Sequence, residues 1–224
     1  MSNQQEDNGR VTILIDFDGV LNAFPDDKSM RRGGFSDTVS KWRDDNPRKK
    51  LYAPDHVFKP ASKAIIHFGD ARARIRWSGE LVTELLGLDA DWRWLSTWQP
   101  FIESDVNPAL GLNGNPKVTN AQWYRYSPFG STPLHGKEDY VGKWIVEHPG
   151  DPVIWVDDED ADAHAWSRIK QRFGEDYPIL VVNPNSEIGI SRPQLELMKS
   201  FTINQDPGFT SEAWLDWDGA HLGF

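Results

Sequence analysis

Six residues near the start of the chain, Val11-Thr12-Ile13-Leu14-Ile15-Asp16, constrain its fold more than any other feature. A nearly unbroken apolar and β-branched run that ends on a carboxylate is the pattern of a strand covered on both faces, because a strand with one wet face alternates apolar and polar residues. Two covered faces require helices on both sides of a sheet. The rest of the chain offers them in alternation with further strands. Ser78 is placed to cap a helix that carries Leu81, Leu85, Leu86 and Leu88, with Gly87 near its end. Residues 92–95 read as a short strand ending in Ser96-Thr97, 138–147 as a helix, 152–156 as a strand ending in Asp157-Asp158, 161–173 as a helix, 179–182 as a strand and 193–201 as a last helix. Residues 107–118 are rich in Pro, Gly and Asn and read as a loop. This order predicts an α/β fold of Rossmann-like type, with a mostly parallel central sheet flanked by helices.

With 224 residues, the chain fits one domain over 11–224 behind a polar, flexible N-terminus at 1–10. An inserted segment, about 23–76, interrupts the pattern. Pro25, Gly33-Gly34, Pro47, Pro54 and Pro60 break it into loops and hairpins, with strand-like pieces at Val57-Phe58 and at 64–68. The apolar runs are too short to span a bilayer. The first ten residues lack the apolar core of a secretory leader, and the chain has no cysteine, so the expectation is a cytoplasmic protein without disulfides. Without thiolates, the strong metal ligands available are carboxylates and imidazoles.

The net charge of −10 argues against a polyanionic partner, yet its distribution argues the other way. From Lys28 to Arg76 there are thirteen basic residues against five acidic ones, so that segment is +8 and the remainder −18. The insertion is either a solvated, irregular surface or a platform for a polyanion.

Three polar clusters fall at the carboxyl ends of predicted strands: Asp16 with Asp18, Ser96 with Thr97, and Asp157 with Asp158. In open α/β sheets ligands bind at that edge. Carboxylates brought together there repel one another unless a cation or a proton intervenes. Oxygen ligands suit a hard divalent ion, and Mg²⁺ typically combines one or two carboxylates with water and substrate phosphate. A calcium loop is a poor fit to Asp16-Phe17-Asp18-Gly19-Val20-Leu21-Asn22, because Val20 and Leu21 stand where that loop needs an oxygen ligand and a glycine. The six histidines, His56, His67, His135, His148, His164 and His221, show no paired spacing of a zinc site, although His135 lies near Lys137 in sequence, within reach of the site. Most of the eleven tryptophans are expected in the core. The apolar stretch from Glu212 to Trp217 is expected to dock on the body.

At these residues the chain resembles the haloacid-dehalogenase superfamily. Its first motif, an apolar strand followed by Asp-x-Asp-Gly, is matched by Ile13-Leu14-Ile15-Asp16-Phe17-Asp18-Gly19. Its second, a Ser or Thr ending the next strand, is matched within Trp94-Leu95-Ser96-Thr97-Trp98. Its fourth, an acidic pair after a strand, is matched by Val153-Ile154-Trp155-Val156-Asp157-Asp158. The third motif is a lysine at the start of the preceding helix. Lys137, at the helix entrance, fits better than Lys143 inside it. The segments Trp94-Leu95-Ser96-Thr97-Trp98, Asn107-Pro108-Ala109-Leu110-Gly111-Leu112 and Gly189-Ile190-Ser191 look like the branch with Trp-Leu-Thr-Thr-Trp at the second motif, which occurs alone and in RNA-repair polypeptides. Ser96 replaces that branch's Thr and keeps the hydroxyl. The insertion lies outside the likeness.

The resemblance implies a Mg²⁺-dependent phosphomonoesterase working through an aspartyl-phosphate, with Asp16 as nucleophile and Asp18 as general acid and base. It implies that Asp16, the backbone carbonyl of Asp18, Asp157 and Asp158 hold the metal, and that Ser96, Thr97 and Lys137 bind the phosphoryl group. A minimal, loop-built cap would leave the site open to a nucleotide or a nucleic-acid terminus. The competing expectations are a small sugar phosphate under a closing lid, and a binding protein that kept the scaffold without turnover.

Overall fold

Val11, Ile13 and Ile15 point to one side of the first strand and Leu14 to the other, and all four are buried. The computed structural model describes residues 9–46, 48–68, 71–127, 130–133 and 136–212. Strand β1 (Val11–Ile15) leads into the insertion. That segment holds α1 (Asp27–Arg31), a 3₁₀ turn at Asp37–Lys41, α2 (Arg48–Leu51) and a hairpin of β2 (Ser62–Phe68) and β3 (Ala71–Trp77). The chain continues through α3 (Gly79–Leu86), β4 (Ala90–Trp94), irregular helical turns from Gln99 to Val106, and α4 (Asn107–Leu110). Then come β5 (Val118–Asn120), a second hairpin of β6 (Tyr124–Ser127) and β7 (Gly130–Pro133), and α5 (Lys137–Glu147). The last elements are β8 (Val153–Val156), α6 (Ala163–Phe173), β9 (Ile179–Asn183), α7 (Arg192–Asn204) and β10 (Gly208–Ser211).

Six strands form one sheet in the order β10-β9-β8-β1-β4-β5, and every pairing is parallel. Burial alternates along the strands with the two-residue period of the pleat. Ile13, Ile15, Ile154, Val156, Leu180 and Val182 join α3 and α7 in one core. Leu14, Val153, Trp155, Ile179 and Val181 join α5 and α6 in the other. The fold is therefore α/β with a Rossmann-like parallel sheet covered on both faces. Beyond β1 the chain first extends the sheet on the β4 side, then returns to build β8, β9 and β10 on the other, so β1 lies at the point where the strand order reverses.

Helix ends follow local chemistry. Ser78 caps α3 by accepting from the Leu81 N–H at 3.3 Å, and Asp162 caps α6 by accepting from the Ala165 N–H at 2.7 Å. Ser191 and Gln194 form a reciprocal capping box at the start of α7. The insertion is more helical than its breakers suggest, and Val57-Phe58 is buried coil rather than strand. Its own small core of Phe35, Val39, Leu51, Tyr52 and Val57 includes Ile188, from the loop after β9. The loop expected over 107–118 begins with a helical turn, and its last residue opens β5. Strands β3, β5, β6, β7 and β10 were not expected as strands. No helix among the described residues is long and apolar enough to cross a membrane. His135, His221 and the residues expected to dock beyond Glu212 lie outside the described residues.

Candidate active site

Parallel pairing of β1 with both β4 and β8 brings the three strand ends to one edge of the sheet. Asp16 donates its N–H to the Val156 carbonyl at 3.0 Å, and Leu95 donates to the Ile15 carbonyl at 2.8 Å, so the residues that follow the three strands are held side by side. Asp16, Asp157 and Asp158 each direct a carboxylate oxygen into a cluster in which these atoms lie within 4.8 Å of one another. Asp16 and Asp157 are buried, and Asp158 is half-buried.

Lys137, the first residue of α5, reaches into this cluster and is itself buried. Its ammonium donates to Asp16 and, at 2.7 Å, to Asp157. Burial works against that charge, but the Asp157 and Asp16 carboxylates outweigh it and push the lysine above its ordinary value. Lys143 is exposed and pairs with Glu147 at 3.7 Å, so the structure places Lys137, and not Lys143, at the cluster.

One ammonium against three clustered carboxylates leaves an excess of negative charge. Its effect is visible on the acids. Burial, then the charges of Asp157 and Asp16, push Asp158 up to about 7. Burial and Asp16 also raise Asp157, against the pull of Lys137. Hard oxygen donors, strained by mutual repulsion and free of sulfur, are a donor set that a divalent cation such as Mg²⁺ would relieve. The residues present fit such an ion.

Asp18 is held apart from this cluster. Its carboxylate accepts from the Trp98 indole N–H at 2.8 Å and from the Asn22 amide at 2.7 Å. Burial raises its pKa, these two hydrogen bonds oppose the rise, and the nearby Asp16 charge adds to it. The metal ligation expected of residue 18 was through its backbone carbonyl, and its side chain indeed lies outside the carboxylate group. The turn that carries Asp18, closed by the Leu21 and Asn22 N–H groups on the Phe17 carbonyl, has Gly19 at φ +65°. A Cβ there would lie 2.0 Å from the Asp158 carboxylate.

Ser96 is fully buried beyond β4, and its hydroxyl accepts from the Trp98 N–H at 3.2 Å, whereas Thr97 is exposed. Three supporting residues were not singled out as site residues in the sequence. Trp98 and Asn22 hold Asp18, and Asn183 donates to the carbonyls of Asp157 and Asp158 at 2.9 and 2.8 Å. For two of them the sequence carried a signal of position, though not of the pairing itself. A tryptophan beside a strand-end cluster needs an acceptor for its indole N–H. Asn183 ends β9 at the same sheet edge as the acids. The described histidines are structural or exposed: His148 stacks on Trp144, His56 pairs with Glu212 at 3.0 Å, and His67 and His164 are exposed.

The site defines the class of protein only as far as an α/β protein with a buried acidic and lysine cluster at the carboxyl edge of its sheet. Comparison with protein-family models, with curated proteins and with solved structures finds no match to this chain.

Proposed function

We propose that this protein is a Mg²⁺-dependent phosphomonoesterase of the haloacid-dehalogenase type. The observation that carries the reading is the division of labour between two carboxylates two residues apart: Asp16 sits in the cluster with Lys137, Asp157 and Asp158, while Asp18 faces Trp98 and Asn22. Environments that separate two acids in this way assign them separate roles.

Asp16 attacks phosphorus, the bond from phosphorus to the leaving oxygen breaks, and Asp18 gives that oxygen its proton. A raised pKa suits Asp18 to carry the proton until it is needed. Asp18, now a carboxylate, takes a proton from water as the water oxygen attacks the aspartyl-phosphate, and the bond to Asp16 breaks. Lys137 and the Ser96 hydroxyl, with the backbone N–H of Thr97, bind the transferring oxygens, so that their charge is stabilised as it moves. Asp16, Asp157, Asp158 and the Asp18 carbonyl would hold Mg²⁺, which when bound offsets repulsion between an anionic nucleophile and an anionic phosphate. The +8 insertion supports a nucleotide or nucleic-acid end as the substrate.

The test is Mg²⁺-dependent phosphate release from an aryl phosphate, nucleotides, 5′- and 3′-phosphorylated oligonucleotides and sugar phosphates, with Asp16→Asn alongside. The expected result is release that requires both the metal and Asp16, with at least a thousandfold loss in the variant. Release that survives Asp16→Asn would falsify the nucleophile assignment. Preference for a sugar phosphate would overturn the substrate class.

A further inference from the structure

The structure sorts the basic insertion into two parts. In the helical part, three of the eight cations from Lys28 to Lys50 are held in local ion pairs among the described residues. Arg48 engages Asp26 and, at 2.7 Å, Glu187, Arg43 pairs with Asp45 at 2.8 Å, and Lys49 pairs with Asp44 at 2.6 Å. The β2–β3 hairpin is different. Its register sets Lys63 opposite Arg76, Ile65 opposite Arg74 and His67 opposite Arg72. These six positions share one face, because side chains of opposed residues point the same way and repeat every second residue.

The opposite face of the hairpin is apolar and packed. Ile66, Ile75 and Trp77 are buried in the main core, with Ala64 against them. The basic face is turned to solvent: Lys63, Ile65, His67, Arg72 and Arg74 are exposed and Arg76 is partly so. No ion pair involves Lys63, Arg72, Arg74 or Arg76 among the described residues. Ile65 is 51 % exposed in the middle of this face. It lines a shallow depression of about 280 Å³ with Arg72, Ala73 and Arg74.

The base of the hairpin is fastened to the catalytic turn. The Arg76 N–H donates to the Asn22 side-chain oxygen at 2.8 Å, and the Ala23 N–H to the Arg76 carbonyl at 3.3 Å. The Asn22 amide in turn holds Asp18. A row of unpaired cations therefore starts within one side chain of the proposed general acid and runs outward along the ribbon.

We infer that this face is a docking track for single-stranded nucleic acid, with the strand's terminal phosphate at Asp16 and its next few phosphates on Arg76, Lys63, Arg74 and Arg72. Same-face residues recur every ~6.6 Å along a strand, a step comparable to the phosphate spacing of an extended polynucleotide. Guanidinium forks match phosphate oxygens. Ile65 and the His67 ring supply the apolar and flat surfaces on which bases pack. A lone small phosphate has no use for a cationic row that extends away from the site, whereas a polymer has.

The position of the strand's end rests on the phosphatase reading, but binding to the track does not. Binding is therefore measured separately, by the anisotropy of a labelled, unphosphorylated single-stranded decanucleotide, which offers no monoester to hydrolyse. The full chain is compared with Arg72→Glu/Arg74→Glu and, as a charge control on another face, Lys143→Glu. Because the substituted side chains are exposed, folding is checked by thermal melting. The expected result is at least tenfold weaker binding by the double variant and unchanged binding by Lys143→Glu. The slope of log K against log salt should shrink by about 1.4, since each phosphate neutralised on a single strand contributes about 0.7. Absent binding, equal binding by the double variant, or equally tight binding of inorganic polyphosphate would each overturn the track. Hydrolysis of a nucleoside monophosphate without decanucleotide binding sinks the track alone. Decanucleotide binding without any phosphate release sinks the phosphatase reading alone.

Discussion

The chemistry of the site turns on how differently two neighbouring carboxylates are treated. Asp16 is committed to the acidic cluster and its lysine, whereas Asp18 keeps a raised pKa under the restraint of two donors. Trp98→Phe tests that restraint. The indole N–H stabilises the carboxylate form of Asp18, so losing it raises the pKa further; a hydrogen bond to a charged group is worth about 1.5–3 kcal/mol, and one pKa unit is about 1.4. The alkaline limb of the pH dependence of kcat should move upward by about one to two units, with little change in KM. A profile that stays in place would separate Trp98 from Asp18. The acids themselves were legible in the sequence because each ends an apolar strand, and strand ends meet at one edge. The partners of Asp18 and of the acidic pair were not, because a hydrogen bond between Trp98 and Asp18 spans eighty residues of chain and leaves no periodic mark.

At the scale of elements, legibility followed burial. Strands β1, β8 and β9 are covered on both faces, and their apolar runs announce them. Edge strand β5 has three residues, none of them buried, and β10 is scarcely more covered, so neither carries a two-sided apolar pattern. Strand β3 hid for another reason: Arg72, Arg74 and Arg76 alternate with small or apolar residues, and the excess of charge read as loop. The helical part of the insertion is tied to the loop after β9 through Ile188 and Glu187. The Tyr52 hydroxyl donates to Glu187 at 2.8 Å and accepts from the Asp26 N–H at 3.1 Å, while Arg48 holds the other Glu187 oxygen. Burial and the Glu187 charge both keep that phenol protonated. The loop carrying Glu187 is pressed close to the turn after β1, where Gly189, at φ +73°, leaves no room for a Cβ, which would lie 2.3 Å from the Val20 carbonyl oxygen. Glu187→Ala should therefore loosen α1, α2 and the turn between them without unfolding the sheet. Hydrogen exchange there should quicken about tenfold or more, the cost of losing a charged hydrogen-bond pair, while β1, β8 and β9 keep their protection. Uniform loss of protection across the chain would show that the insertion is part of the global folding unit instead.

For the molecule as a whole, the acidic cluster couples stability to pH and to metal. Asp158 moves from an ordinary 3.8 in the unfolded chain to about 7 in the fold, and Asp157 and Asp18 move in the same direction. The folded protein thus holds protons that the unfolded chain releases. The contribution is fully present below pH 3.8, declines as the pH rises, and is lost above about 7. A divalent cation replaces those protons, so its affinity should rise through the same window and level off above it. Thermal melts at pH 5, 6, 7 and 8, with a chelator or with Mg²⁺, read both effects. The metal-free melting temperature should fall with pH, and the increment from Mg²⁺ should grow. At a hundredfold excess over Kd the ion adds about 2.7 kcal/mol, which for a chain of this size is about 5–10 °C. The net charge of −10 also disfavours compactness as the pH rises, so the slope alone does not single out the cluster. Asp158→Asn does, because it removes one charge of the −10 but all of that residue's titration. If the variant flattens the metal-free slope and shrinks the Mg²⁺ increment together, the cluster is the origin of both. If the slope is unchanged, general repulsion explains it, and the acidic cluster is not the seat of the coupling.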